Sequence, residues 1–179
     1  VAVPIHQTTS YQVDNTEHAG KLLALQELGN IYTRIMNPTT QILEERLAAL
    51  EGGAAALCVS SGSSAVALAI QNVAAAGDNI VVSPYLYGGT YNLFTNTLPK
   101  MGIEVRFADT TNPESFKNLS DERTRAYFGE TLPNPKLVPF PIAEVAEIGI
   151  HKGIPLIVDN TAAPLTCQPF EYGAAIIVH

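Results

Sequence analysis

Apolar and polar positions along this chain alternate between two rhythms. Short apolar runs at 54–59, 79–83, 104–108, 124–129, 155–158 and 174–178 are too brief for helices and read as buried strands. Between them apolar residues recur at helical spacing. Ile42, Leu43, Leu47 and Leu50 mark one helix, with Thr39 or Thr40 as its cap and Gly52-Gly53 as its stop. Ala65, Val66, Leu68, Ala69, Ile70 and Val73 mark a second. Further helices are expected over 91–100, broken by Met101-Gly102, over 113–119, and over 141–152 with Ile142, Val145, Ala146 and Ile148 inward. Strand and helix alternate, which predicts an α/β fold with a mostly parallel sheet and helices on both faces. Ligands in such sheets sit at the carboxyl ends of the strands, and Ser60–Ser64, Tyr87, Glu130–Asn134 and Asp159 all fall there. The first 30 residues carry little periodicity beyond a short helix over 17–28 and read as an arm lying on another surface.

Composition narrows the class. At 179 residues and 46% hydrophobic, the chain is long and apolar enough for one domain with a real core. A net charge of −7 without a basic cluster argues against a nucleic-acid partner. No apolar run approaches the ~18 residues of a membrane helix. The opening Val-Ala-Val-Pro shows no basic n-region before an apolar h-region, so a cytoplasmic protein is expected, with its true N-terminus missing for lack of a starting Met. Cys58 and Cys167 have no metal-ligand spacing and read as free thiols buried as small apolar groups. His6, His18, His151 and His179 form no ligand pair, and no metal is expected.

Three stretches carry candidate chemistry. A strand over 54–59, a small-residue turn and a helix would leave free N–H groups of Ser61, Gly62 and Ser63 at a helix N-terminus, where phosphate binds; plain packing of small residues is the alternative. Tyr32 and Arg34, two apart in a loop read as extended, would point the same way and suit a phosphate or carboxylate, or a simple ion pair. Asp159 ends the apolar run Leu156-Ile157-Val158, where a carboxylate is costly unless partnered. It either caps the turn at Asn160-Thr161 or pairs with a protonated ring nitrogen. Pyridoxal 5'-phosphate needs both ends held in this way, phosphate on a helix N-terminus and an acid at the pyridinium. No G-x-G-x-x-G follows a strand, which disfavours a nicotinamide oxidoreductase.

Taken in order, Tyr32-Thr33-Arg34 with Asn37-Pro38-Thr39, Ser60-Ser61-Gly62, Leu86-Tyr87-Gly88, Glu130-Thr131 with Asn134-Pro135, and Val158-Asp159-Asn160-Thr161 resemble the cysteine/methionine-metabolism family of pyridoxal-phosphate enzymes over essentially the whole chain. The runs at 29–39 and 87–94 are most similar to the branch that acts on O-acetylhomoserine; methionine γ-lyases usually show cysteine where this chain has Gly89. The resemblance implies an aspartate-aminotransferase-like, fold type I large domain over 41–179, with 1–40 as arm and inter-subunit loop. It implies γ-replacement on O-acetyl-L-homoserine with sulfide or a thiol. Cystathionine γ-synthase, a γ-lyase, or a non-catalytic segment of the same fold are the alternatives. It also implies a homotetramer of dimers with shared sites. Gly62 and Ser63 would give N–H groups to the phosphate, although the family commonly has methionine at the Ser63 position. Tyr32 and Arg34 would reach the phosphate of a neighbouring subunit. Tyr87 would stack on the ring and move a proton at the leaving group, Asn134 would bond the ring hydroxyl oxygen, Asp159 would pair with the ring nitrogen, and Glu130 would lie near the site.

Such chemistry needs a lysine. Lys21, Lys100, Lys117, Lys136 and Lys152 are present, and none stands where the resemblance places the Schiff-base lysine, a few residues beyond the strand that ends at His179. The expectation is therefore a front part of a longer enzyme, truncated before the last strands and the C-terminal domain.

Overall fold

Five strands, β1 (Asn79–Val82), β2 (Glu104–Phe107), β3 (Thr124–Glu130), β4 (Leu156–Asp159) and β5 (Ile176–Val178), pair in parallel in the order β2-β1-β3-β4-β5. The structure, a computed structural model, describes residues 2–179; Val1, the first residue of the expected arm, lies outside them. The central strands β1 and β4 read as apolar runs because both of their faces are covered, whereas the edge strand β2 carries Glu104 and Arg106 and is partly exposed. Ile80, Val82, Ala126, Phe128, Ile157 and Val178 face one layer, with Val66 and Ile70 of α3 (Gly62–Val73), Ala74 just after it, and Phe94 and Leu98. Val81, Tyr127, Leu156 and Val158 face the other, with Phe116 of α5 (Glu114–Asn118) and Ile142, Val145 and Ala146 of α6 (Ile142–Lys152). Edge-to-face aromatic pairs sit in each layer, Phe94 on Phe128 at 4.9 Å and Phe116 on Tyr127 at 5.4 Å.

The helix expected over 91–100 begins earlier, as α4 (Gly88–Asn92), and continues through a π turn (Leu93–Thr97) and a 3-10 turn (Pro99–Met101). Pro99 has no N–H, and ahead of it the Leu98 N–H reaches back five residues to the Leu93 carbonyl. Gly102, at φ +81°, ends the run in the left-handed region.

The chain divides into two units, one running up to Ala49 and including Gly53–Cys58, the other formed by Leu50–Gly52 and Val59–His179. The sheet lies in the second. In the first, α1 (Thr16–Leu23) is capped by Asn15, whose side chain accepts the His18 N–H, and it stops short of the expected residue 28. Leu25 there takes a left-handed conformation. α2 (Pro38–Glu51) starts one residue before the expected cap, because the Asn37 side chain accepts the Thr39 N–H at 2.8 Å and Pro38 suits a first turn.

Two expectations fail. Residues 54–59 form no strand: Leu57 is 76% exposed, and the Cys58 N–H goes to Glu44 Oε1 at 2.8 Å rather than into a ladder. Among the described residues the segment has no neighbouring strand to pair with, and apolar composition alone supplies no ladder. Cys58 and Cys167 are free but half-buried rather than buried, and burial still pushes both thiols up.

Candidate functional site

The carboxyl ends of the strands line up in register. Glu130 and Asp159, the last residues of β3 and β4, are cross-strand partners, and Asp159 is in turn the partner of Val178 on β5. The backbone of His179, one residue on, packs against Gly62. A Cβ at position 62 would lie 3.0 Å from the His179 carbonyl oxygen, so this approach suits glycine. Ser61 caps α3, its hydroxyl accepting the Ser64 N–H at 3.1 Å. The N–H groups of Gly62 and Ser63 in the first turn are left free of helical partners. The predicted helix N-terminus thus exists beside the sheet edge, although no strand leads into it.

On the other side of Asp159, the buried Glu130 carboxyl holds the loop after β1: its Oε1 accepts the Tyr87 N–H at 2.7 Å. β1 and β3 are the strands between which the strand order reverses, the position where open α/β sheets bind ligands. Burial above all, and then the Asp159 charge, push the Glu130 acid up to about 7, against the pull of the Tyr87 and Asn134 N–H groups. Tyr87 is half exposed, its ring folded over Gly89. Asp159 is half-buried, and its Oδ1 accepts the Thr161 N–H at 2.9 Å. The turn cap read as its alternative role is therefore real and occupies one oxygen. Asn134 is exposed at the loop after β3.

One row thus gathers Ser61, Gly62, Ser63, Asp159, Glu130 and Tyr87. Tyr32 and Arg34 belong to the other unit and meet there, the guanidinium 5.5 Å from the centre of the tyrosine ring. Their loop is not extended: Tyr32 C=O accepts the N–H groups of Ile35 and Met36, closing a turn that keeps the two side chains adjacent.

Beneath the row lies a network the sequence reading missed. Asn160, fully buried, accepts from Thr131 Oγ1 at 2.8 Å and donates to Glu51 Oε1 at 2.9 Å and to the Cys167 carbonyl at 3.0 Å. His179 Nε2 lies 2.9 Å from the same Glu51 oxygen, out of line for a hydrogen bond. Asn160 follows Asp159 and Thr131 follows Glu130, so the network ties together the ends of the two strands that carry the acids. Buried polar residues directly after two apolar strands were the available signal. A separate open groove of about 650 Å³ between α5 and α6, lined by residues including Pro113, Lys117, Glu144, Ile148 and His151, offers side chains of both signs but no buried polar group.

The lysines are engaged elsewhere or remote. Lys21 pairs with Glu17 at 2.8 Å, Lys117 with Glu114 at 3.2 Å, and Lys136 sits 4.8 Å from the centre of the Tyr85 ring. Lys100 lies in the 3-10 turn and Lys152 ends α6.

Known proteins resemble this chain in both sequence and fold. An O-acetyl-L-homoserine sulfhydrylase of Leptospira meyeri is 54% identical over 179 residues, 99% of this chain and 40% of that one. A homocysteine/cysteine synthase of Saccharomyces cerevisiae is 51% identical over 180 residues, again 99% and 40%. Among solved structures, one described as an O-acetylhomoserine (thiol)-lyase of Campylobacter jejuni, carrying N'-pyridoxyl-lysine-5'-monophosphate, superposes with a TM-score of 0.96. It is 42% identical, covering 99% of this chain and 44% of that one. The chain spans about 40% of the length of the curated relatives it matches. The profile of the Cys/Met metabolism PLP-dependent enzymes matches residues 1–179, and the chain belongs to that family.

Proposed function

We propose that this chain supplies the pyridoxal-5'-phosphate-binding face of an enzyme that replaces the acetoxy group of O-acetyl-L-homoserine with sulfide or a thiol, giving homocysteine or a thioether and acetate. The supporting observation is the single row that runs from the N-terminus of α3 through Asp159 and Glu130 to Tyr87. Its donor set fits the cofactor. Gly62 and Ser63 offer free N–H groups to a phosphate, and Asp159 keeps one oxygen for a protonated ring nitrogen after the Thr161 N–H has taken the other. The names of the relatives support the substrate.

When bound, the cofactor supplies an electron sink for charge developing next to the amino group of the substrate. The residues of this chain would act around it. Gly62 and Ser63 hold the phosphate. Asp159 keeps the ring nitrogen protonated. Asn134 would bond the ring hydroxyl oxygen. Tyr87 would lie against the ring, and its hydroxyl would move a proton at the departing acetate oxygen. Tyr32 and Arg34 act on the phosphate of a neighbouring subunit, which requires an assembly with shared sites, in our reading a homotetramer of dimers. The lysine that such chemistry needs would come from the remainder of the complete enzyme, beyond residue 179, and the enzyme works in the cytoplasm.

The test is to incubate the complete enzyme with O-acetyl-L-homoserine and sulfide. Homocysteine and acetate should form in equal amounts, and Asp159→Asn should lose most of this turnover while retaining bound cofactor. Turnover of cystathionine or methionine, with no homocysteine from O-acetylhomoserine, would overturn the reading.

A further inference from the structure

The Glu130 carboxyl is directed at main chain, not at open space, and that has a consequence for Tyr87. We propose that Glu130 is a positioning residue, which fixes the main chain of Tyr87 and thereby the aim of its hydroxyl, and acts on the reaction only through that tyrosine. This rests on the functional reading above, in which Tyr87 moves a proton.

Two features bear on where the tyrosine sits. Glu130, 6% exposed at the end of a central strand, accepts the Tyr87 N–H at 2.7 Å. The bond goes to the backbone, so it fixes where the tyrosine side chain starts. Tyr87 itself immediately precedes α4 and makes no side-chain capping bond there. The second feature is Gly89. A Cβ at that position would fall 2.6 Å from Tyr87 Cε1 and 3.2 Å from Cδ1, so the ring occupies the space a side chain would take. Position 89 is therefore closed to other residues for as long as the ring keeps this pose.

Glu130 is also the cross-strand partner of Asp159, and burial beside that acid disfavours its charged form. A neutral carboxyl still presents a carbonyl oxygen to the Tyr87 N–H. Glutamine, of the same shape and uncharged, should therefore serve, whereas leucine fills the volume and leaves the N–H without an acceptor.

The experiment uses the holoenzyme and four variants: Glu130→Gln, Glu130→Leu, Tyr87→Phe, and Glu130→Leu with Tyr87→Phe. Two readouts are taken: kcat and KM for acetate release from O-acetylhomoserine, and hydrogen exchange of the peptide spanning 84–92. Glu130→Leu should lower kcat at least tenfold with KM within threefold, and speed exchange in that peptide. Glu130→Gln should recover most of the kcat and restore the slow exchange. In the Tyr87→Phe variant there is no hydroxyl left to misplace, and Glu130→Leu should cost less than a further threefold. An equal loss from Glu130→Leu in the wild-type and Tyr87→Phe backgrounds, or exchange unchanged by leucine, would overturn the proposal. Should Glu130→Leu fail to fold, Glu130→Gln carries the test on the same two readouts: kcat and exchange near wild type support an uncharged acceptor that positions Tyr87, and a tenfold loss of kcat with exchange unchanged overturns it. A wild-type enzyme inactive on O-acetylhomoserine would refute the functional reading, and the exchange measurement would then decide the positioning on its own.

Discussion

Replacing Asn160 with alanine tests whether the network under the acids holds the strand ends. The side chain is fully buried and makes three hydrogen bonds, at 2.8 Å with the Thr131 hydroxyl, 2.9 Å with Glu51 and 3.0 Å with the Cys167 carbonyl. A neutral buried hydrogen bond contributes about 1 kcal/mol and one to a charged group about 1.5–3. Alanine removes all three and leaves the Thr131 hydroxyl and the Glu51 carboxylate without this partner. Glu51 already has one buried oxygen with no hydrogen-bond partner. The expected loss is about 4 kcal/mol, read as a lowered urea midpoint of the cofactor-free enzyme at constant m-value. Asn160→Asp keeps the shape but sets a second carboxyl against Glu51. It should be at least as damaging at neutral pH. A loss under about 1 kcal/mol for alanine, or an aspartate variant as stable as wild type at neutral pH, would refute the reasoning.

Further outcomes follow from the same geometry. The Glu130 acid is raised from 4.5 to about 7, so the native state holds its proton more tightly than the unfolded chain over that window. The cofactor-free enzyme should therefore lose stability as pH rises through it, by about 3 kcal/mol in all, and Glu130→Gln should flatten that slope in urea titrations at several pH values. Tyr87→Phe should keep cofactor binding but slow acetate release at least tenfold in single-turnover measurements; equal rates would leave the tyrosine a packing role. Mixed subunits of inactive Arg34→Ala and inactive Asp159→Asn should regain part of the activity through hybrid sites. Mixtures that stay inactive after proven subunit exchange would rule out sharing of Tyr32 and Arg34 between subunits.

Much of the fold was legible because both faces of the sheet are covered. Ile-Val-Val at 80–82 and Leu-Ile-Val at 156–158 announce strands whichever way they face. The capped start of α3 was legible from Ser61 and Gly62, since a cap and a close backbone approach each demand particular residues. What failed was pairing. Residues 54–59 have the composition of a strand, but a strand also needs a partner, and no single segment encodes that. The start of α2 was misplaced because Asn37 competes with Thr39 and Thr40 for the same capping role and wins by standing before Pro38. The Asn160 network stayed hidden because Glu51 and Asn160 are 109 residues apart, and each alone reads as a surface or turn residue.

The central claim is that one row of strand ends in this chain holds pyridoxal phosphate at both ends, and a crystal structure of the complete enzyme with the cofactor bound tests it most directly. The account predicts phosphate oxygens within hydrogen-bond distance of the Gly62 and Ser63 N–H groups, with the Asp159 carboxylate against the ring nitrogen and the Tyr87 ring over one face. A cofactor bound with its ring nitrogen away from Asp159, or its phosphate away from the N-terminus of α3, would contradict it.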